Sequence, residues 1–240
     1  MNDDTKKTSM SMTSTMAAWS VGALVLGLVV GIGGAMVANN NNLSKKDTEK
    51  NDAVAAAKLT TDTPAANLRV LLNGLEKEHV DLASNAVRRG FDGDTDFAAS
   101  ADILDKNSVA IATAIGSVYG TDAQAKFLQI WRSHIGFFVD YTVAAKKGDS
   151  AGMAQAVTNL GGYIDAISDF FSSANPNLPR DAVKQLITDH VMLLKAAVDT
   201  YGAKDYAGSY TKQGEAYKQI GTIADAIAGA IVKQKPEAFK

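Results

Sequence analysis

Residues 127–141, FLQIWRSHIGFFVDY, contain the pattern that decides the fold: a histidine within the apolar face of a helix. Phe127, Ile130, His134 and Phe138 follow one another at intervals of three or four residues, which is the period of one face of an α-helix. Such a face packs against the interior of a protein. The segment therefore predicts a core helix in which His134 is at least partly buried.

The same arrangement surrounds the other two histidines of the chain. His79, His134 and His190 are separated by 55 and 56 residues. Four further columns agree when the copies are aligned on histidine: an apolar residue seven before it (Leu72, Phe127, Val183), another four before it (Leu75, Ile130, Leu186), a β-branched residue directly after it (Val80, Ile135, Val191) and an aspartate fifteen after it (Asp94, Asp149, Asp205). This agreement indicates three diverged copies of one unit.

Each copy is predicted to be a hairpin of two helices, because glycine and aspartate interrupt the helical period near its middle. The six expected helices cover residues 67–89, 95–118, 122–147, 150–173, 180–203 and 206–233. Each recurring aspartate is expected to cap the second helix of its hairpin. The predicted fold class is all-α: six antiparallel helices as three tandem helical hairpin repeats, preceded by one N-terminal transmembrane helix. Both an open solenoid and a closed bundle are compatible with this pattern.

Residues 17–38 carry no charged side chain and are predicted to cross a membrane, since about 20 apolar residues span a bilayer as a helix. The alternative is a cleaved signal peptide, whose apolar region is usually only ~7–15 residues long, and cleavage would give a secreted protein. With an uncleaved anchor, residues 1–16 form a short cytoplasmic tail and the C-terminal domain lies outside the cell. Residues 39–66 are predicted to be a flexible linker, and residues 67–240 the six-helix repeat domain.

The composition excludes several classes of function. Lys and Arg number 24 against 26 Asp and Glu, so the chain lacks the basic excess of a nucleic-acid-binding protein. The absence of cysteine excludes disulfides, thiolate zinc sites and a cysteine nucleophile. The predicted partners are the membrane, through residues 17–38, and either another protein or a second copy of the chain. Gly27, Gly31 and Ala35 form a small-residue face in the span that suits packing against another span, but glycine and alanine are common in membrane helices in any case, and that simpler explanation is preferred.

His79, His134 and His190 are the candidate site. A buried imidazole needs partners for its ring nitrogens, and two explanations are open. Each histidine is either a structural residue bonded to a nearby polar group, or one of three ligands that share a Cu or Zn ion and leave one coordination position open. In an open solenoid equivalent positions lie ~8–10 Å apart per helix, too far for one metal, whereas a closed three-fold arrangement lets them converge. The polar groups available for the structural role are Tyr141, Tyr201, Tyr217, Asn107 and Thr113.

Glu76 and His79 form a Glu-x-x-His element of the kind that di-iron carboxylate bundles use twice. The other two copies place Trp131 and Ile187 where the glutamate stands, so a di-iron centre is disfavoured. Glu76 and Glu78 are therefore expected to lie in solvent.

Segments 78–79, 114–120, 131–141 and 189–191 carry a resemblance to a known family. With them the chain resembles secreted or membrane-anchored bacterial helical-repeat proteins that are often labelled copper amine oxidase-like. The resemblance covers residues 67–240 and implies a helical fold outside the cytoplasm. The label does not imply amine oxidase activity, since the chain has no Asn-Tyr-Asp/Glu cofactor motif and no His-x-His pair.

The sequence predicts a membrane-tethered, extracytoplasmic helical domain that binds or interacts without catalytic activity. The alternative is a Cu- or Zn-binding protein that uses one histidine per repeat. A metal-dependent enzyme is a third, weaker hypothesis, which requires an open pocket with a carboxylate beside the metal. No catalytic residue is assigned.

Overall fold

A computed structural model describes residues 61–240, which form six α-helices and no strand. The helices are α1 (Pro64–Asp92), α2 (Phe97–Tyr119), α3 (Thr121–Lys147), α4 (Ser150–Ala174), α5 (Arg180–Gly202) and α6 (Tyr206–Gln234), followed by a short 3-10 helix, Pro236–Phe239. This confirms the all-α prediction. The predicted tail, transmembrane segment and most of the linker lie outside the described residues. Within 61–240, no helix combines the length and apolar character needed to cross a bilayer.

The first helix begins at Pro64, three residues before the predicted start of the domain. Thr63 caps it by accepting a hydrogen bond from the Ala66 amide at 3.1 Å. Proline suits the first helical position because its fixed φ is helical and no amide hydrogen is needed there.

Consecutive helices run antiparallel and pack against each other. Between α2 and α3, Asp105 accepts from Arg132 at 2.7 Å, and farther along Thr113 accepts from Gln124 at 3.3 Å. The last helix returns to the first, since α6 packs along α1. The six helices therefore close into a bundle, which decides between the two arrangements that the sequence left open.

The odd-numbered helices run parallel to one another and meet pairwise inside this bundle. Tyr141 on α3 donates a hydrogen bond to Asp199 on α5, and Tyr201 on α5 donates to Asp92 on α1. The two pairs lie near the same end of the three helices. Residues spaced by about 55 positions therefore stand at the same level along the bundle.

Two of the three recurring aspartates cap helices as predicted. Asp149 accepts from the Gly152 amide and Asp205 from the Gly208 amide, both at 2.9 Å. The prediction for Asp94 is wrong, because α1 continues to Asp92 and Asp96 takes the position before α2, without a side-chain capping bond. The side chain of Asp94 pairs with Arg89 instead.

The apolar faces of all six helices meet in one core. Its most deeply buried members are Leu72, Val80, Ile111, Ala112, Ile115, Phe127, Leu160, Ile167, Phe171, Ala216, Ile220, Ala224, Ala228 and Ile231. Burial of this apolar surface supplies the main stabilisation of the domain.

Candidate metal centre

The three histidines lie in the middle of the core, one on each odd-numbered helix. His79 of α1, His134 of α3 and His190 of α5 expose only 1–3% of their surface. The prediction that they are buried is confirmed. Their helical neighbours seven residues earlier are buried as well, which places each histidine on the inward face of its helix.

The structure brings the three imidazoles together. The ring centroid of His79 is 5.4 Å from that of His134 and 6.3 Å from that of His190. The Nε2 atoms of His79 and His134 are 3.4 Å apart. These separations are much shorter than one helix spacing and follow from the closure of the bundle.

The spacing of His79 and His134 matches two ligands on one tetrahedral metal ion. With metal–nitrogen bonds of ~2.0–2.1 Å, two such nitrogens lie about 3.4 Å apart and their ring centroids about 5 Å apart. His190 stands about 1 Å beyond that centroid distance from His79. Among residues 61–240, no three His, Cys, Asp or Glu side chains are placed so that together they could hold a metal ion. The centre is thus a matched pair of imidazoles with a third beside it.

The five polar groups suggested as partners for structural histidines bond elsewhere. Tyr141 and Tyr201 donate to aspartates, Asn107 donates to the Leu75 carbonyl at 3.0 Å, and Thr113 donates to the Val109 carbonyl at 2.8 Å. Tyr217 is exposed. That set of predicted partners is wrong, because four of these groups bond to other residues and the fifth is exposed.

Most histidine nitrogens have no hydrogen-bond partner among the protein atoms. The unpartnered atoms are Nδ1 of His79, Nδ1 of His134 and both ring nitrogens of His190. His134 approaches the backbone of Trp131, but not with the geometry of a normal hydrogen bond. Gln219 faces His190, but its amide donates to the Leu186 carbonyl at 2.7 Å and its oxygen makes no bond of normal geometry. Buried polar groups are normally paired with protein atoms or ordered water, so this concentration of unpaired nitrogens makes the centre a candidate site for a ligand.

Burial lowers the pKa of all three histidines. The pKa of His134 falls to about 3 and that of His190 to about 4, in both cases chiefly through loss of hydration. The pKa of His79 lies well below its usual value because of burial and of the neighbouring imidazoles. All three rings are therefore neutral at pH 7, which is the form that binds metal ions.

Aromatic side chains enclose the imidazole cluster. The Trp131 ring centroid is 4.9 Å from that of His79 and 4.7 Å from that of His134. Tyr163 of α4 stacks on His134 at 4.5 Å with an interplanar angle of 25°. These contacts hold His79 and His134 in place on one side of the centre.

Glu76 is buried, contrary to the expectation that it lies in solvent. It exposes only 3% of its surface, because a position three residues before His79 lies on the same inward face of α1. Burial raises the pKa of its carboxyl to about 8. Its Oε2 atom has no partner among the protein atoms, whereas Glu78 is exposed and accepts from Asn107 at 2.9 Å. The sequence signal for the burial of Glu76 is its i, i+3 spacing from His79, which places both residues on one face of the helix.

No protein-family model, curated protein or solved structure matches the chain. The resemblance to copper amine oxidase-like proteins stays a prediction.

Proposed function

We propose that this domain binds one Cu or Zn ion through His79, His134 and His190. The observation that carries the proposal is the 3.4 Å separation of the Nε2 atoms of His79 and His134, inside a cluster of buried and neutral imidazoles. Metal binding was the alternative hypothesis that the sequence offered. The convergence of the three helices favours it over purely structural histidines.

A hydrogen bond between two imidazoles explains the arrangement less well. An N–H···N bond of 3.4 Å is long, since the usual range ends near ~3.2 Å. It also leaves the ring nitrogens of His190 unpaired, and each buried unpaired group costs about 1–3 kcal/mol. Coordination gives one nitrogen of each ring a strong partner and so accounts for the three histidines together.

The third ligand, His190, has to move toward the pair to complete the site. Its ring centroid lies 6.3 Å from that of His79, about 1 Å beyond the spacing expected on a tetrahedral ion. Neither of its nitrogens is held by a hydrogen bond of normal geometry, so the movement breaks none. The fourth position stays open to a further ligand.

Glu76 supplies a carboxyl group on the inward face of α1, one helical turn before His79. In the metal-free domain burial keeps this group protonated at pH 7, since its pKa is raised to about 8. A dication brings positive charge into the core and favours the ionised carboxylate, which offsets part of that charge. The proposed role of Glu76 is electrostatic, and no catalytic step is assigned to it.

The proposal also includes the repeat origin and the location of the domain. The three hairpins are diverged copies of one unit, as supported by the parallel odd-numbered helices and by the equivalent levels of their histidines. Residues 17–38 tether the domain to the outer face of a membrane, as supported by their uncharged composition. The domain thus serves as a metal-binding module outside the cytoplasm.

The test is metal binding by the full-length chain, purified without a histidine tag and stripped with a chelator. Titration with Zn²⁺ or Cu²⁺ is expected to give one ion per chain. Each of His79→Ala, His134→Ala and His190→Ala should weaken binding at least ~100-fold, since the ligands act as a unit.

Lys147→Ala serves as the control, because this exposed side chain lies at the end of α3 away from the centre, and it should bind like the unsubstituted chain. Circular dichroism verifies that each variant is folded. Unchanged affinity in folded histidine variants overturns the proposal.

A further inference from the structure

An apolar cavity of about 270 Å³ reaches from the bundle surface to the histidine centre. Its outer end is formed by Gly93 and Asp94, which are exposed in the turn between α1 and α2, and its inner end by His79 and His134. The walls between them are apolar side chains from four helices, among them Ala83, Ala101, Leu104, Phe138, Val139 and Leu194.

One buried hydroxyl in this wall has no partner. Ser84 lines the cavity, exposes 7% of its surface, and its Oγ makes no hydrogen bond to protein atoms. The buried serines Ser108 and Ser168 behave differently, since each donates to the carbonyl four residues earlier on its own helix, at 3.0 and 2.6 Å. A hydroxyl kept free in an apolar wall is suited to bond a ligand in the cavity.

The charge of the lining selects a neutral ligand. The cavity is lined by no Lys or Arg, and its one acidic residue, Asp94, is exposed at the outer end and paired with Arg89. An ionised ligand would lose its hydration without gaining a counter-charge, which is costly.

The size of the cavity sets the size of the ligand. Its volume is about twice that of an engineered ~150 Å³ apolar cavity that binds benzene. One or two rings therefore fill the space.

We infer that the cavity binds a neutral apolar molecule of one or two rings that carries one hydroxyl group. The rings pack against the aliphatic walls and the hydroxyl bonds to Ser84. The cavity ends at two of the proposed metal ligands, but the inference does not rest on the metal proposal, since it requires no metal ion.

The experiment compares 2-naphthol with 2-methoxynaphthalene, which has the same rings but no hydroxyl donor, by equilibrium dialysis against the metal-stripped full-length chain. The unsubstituted chain is expected to bind 2-naphthol about tenfold more tightly, the effect of one good hydrogen bond. Ser84→Ala should abolish this preference and leave 2-methoxynaphthalene binding unchanged. Ser173→Ala, at an exposed serine of α4, is the matched control and should keep the preference.

Ala101→Phe fills the cavity and should abolish binding of both probes, whereas Ala151→Phe places the same side chain on the exposed face of α4 and should not. If Ala101→Phe does not fold, Ala83→Leu makes the same test. Equal uptake by the filled variant and the unsubstituted chain places the probes elsewhere and overturns the inference, as does a preference that survives Ser84→Ala. Because metal is absent throughout, either result leaves the metal proposal to its own test.

Discussion

Glu76 is the residue whose behaviour departs most from its pattern in the sequence. Its counterparts in the other two copies are Trp131 and Ile187, and the comparison suggested a solvated side chain. Its buried position was nevertheless contained in the i, i+3 spacing from His79, which places both on one face of a helix. Alignment of the three copies shows which residues the hairpins share. The helical period shows which face of its helix a residue such as Glu76 occupies.

The raised pKa of Glu76 predicts an unusual dependence of stability on pH. The folded metal-free domain keeps this carboxyl protonated up to about pH 8, while the unfolded chain releases the proton near its ordinary value of 4.5. The wild-type chain therefore loses stability as pH rises between these two values. Glu76→Gln, which cannot ionise, avoids this loss.

Relative to the wild type, Glu76→Gln should gain stability on going from pH ~5 to pH ~9, by a few kcal/mol at about 1.4 kcal/mol per pKa unit. The lowered histidine pKa values act in the other direction, because the domain loses stability as the pH is lowered below ~6.5. This effect is the same in both proteins. Urea unfolding of metal-stripped protein at the two pH values measures the difference. Glu237→Gln, at an exposed site, should show no such gain, and a pH-independent difference for Glu76→Gln would show that the carboxyl is not perturbed.

At the scale of the helices, periodicity and turn residues located all six elements within a few residues. The main local error concerns Asp94, because the sequence does not show that α1 continues past Gly90 to Asp92. Gly93 then adopts the left-handed conformation with φ of 79°, which ends the helix there. The repeat spacing located the turn between α1 and α2. Because α1 extends to Asp92, the aspartate directly before α2 is Asp96 and not Asp94.

The capping difference predicts unequal costs for removing equivalent aspartates. Asp149→Ala should lower the free energy of unfolding by about 1 kcal/mol, since it removes the bond to the Gly152 amide at the start of α4. Asp94→Ala removes only an exposed ion pair with Arg89 and should cost no more than a few tenths of a kcal/mol. Thermal or urea unfolding of both variants tests this order, and equal costs would contradict it.

For the whole molecule, the sequence predicted three histidines on apolar faces but not that they meet. Their convergence depends on the packing of α6 against α1, which closes the bundle. Closure arises from long-range contacts whose partners lie more than 100 residues apart, such as Arg69 with Asp225. Such contacts leave no periodic signal in one sequence, so the sequence alone did not show that the three histidines lie together.

The apolar core, more than the ion pair, should hold the closed bundle together. Leu72 is 2% exposed on α1, and Leu72→Ala should cost about 2–5 kcal/mol of unfolding free energy. Asp225→Asn removes the ion pair with Arg69 and weakens the hydrogen bond from Asn73. Because the side chains of Arg69 and Asp225 are exposed, the expected cost is below about 1 kcal/mol. Urea unfolding distinguishes the two, and a larger loss for Asp225→Asn would assign closure to the surface charges.

X-ray absorption at the zinc edge of the full-length chain, loaded with one equivalent of Zn²⁺, tests the central claim most directly. The proposed centre predicts three imidazole nitrogens at ~2.0–2.1 Å from the metal, together with the outer-shell scattering of imidazole rings. The imidazole signal should be lost in His134→Ala, because this variant removes one of the closely spaced pair. A first shell of oxygen alone, or an imidazole signal that persists in that variant, would contradict a metal site at the meeting point of α1, α3 and α5.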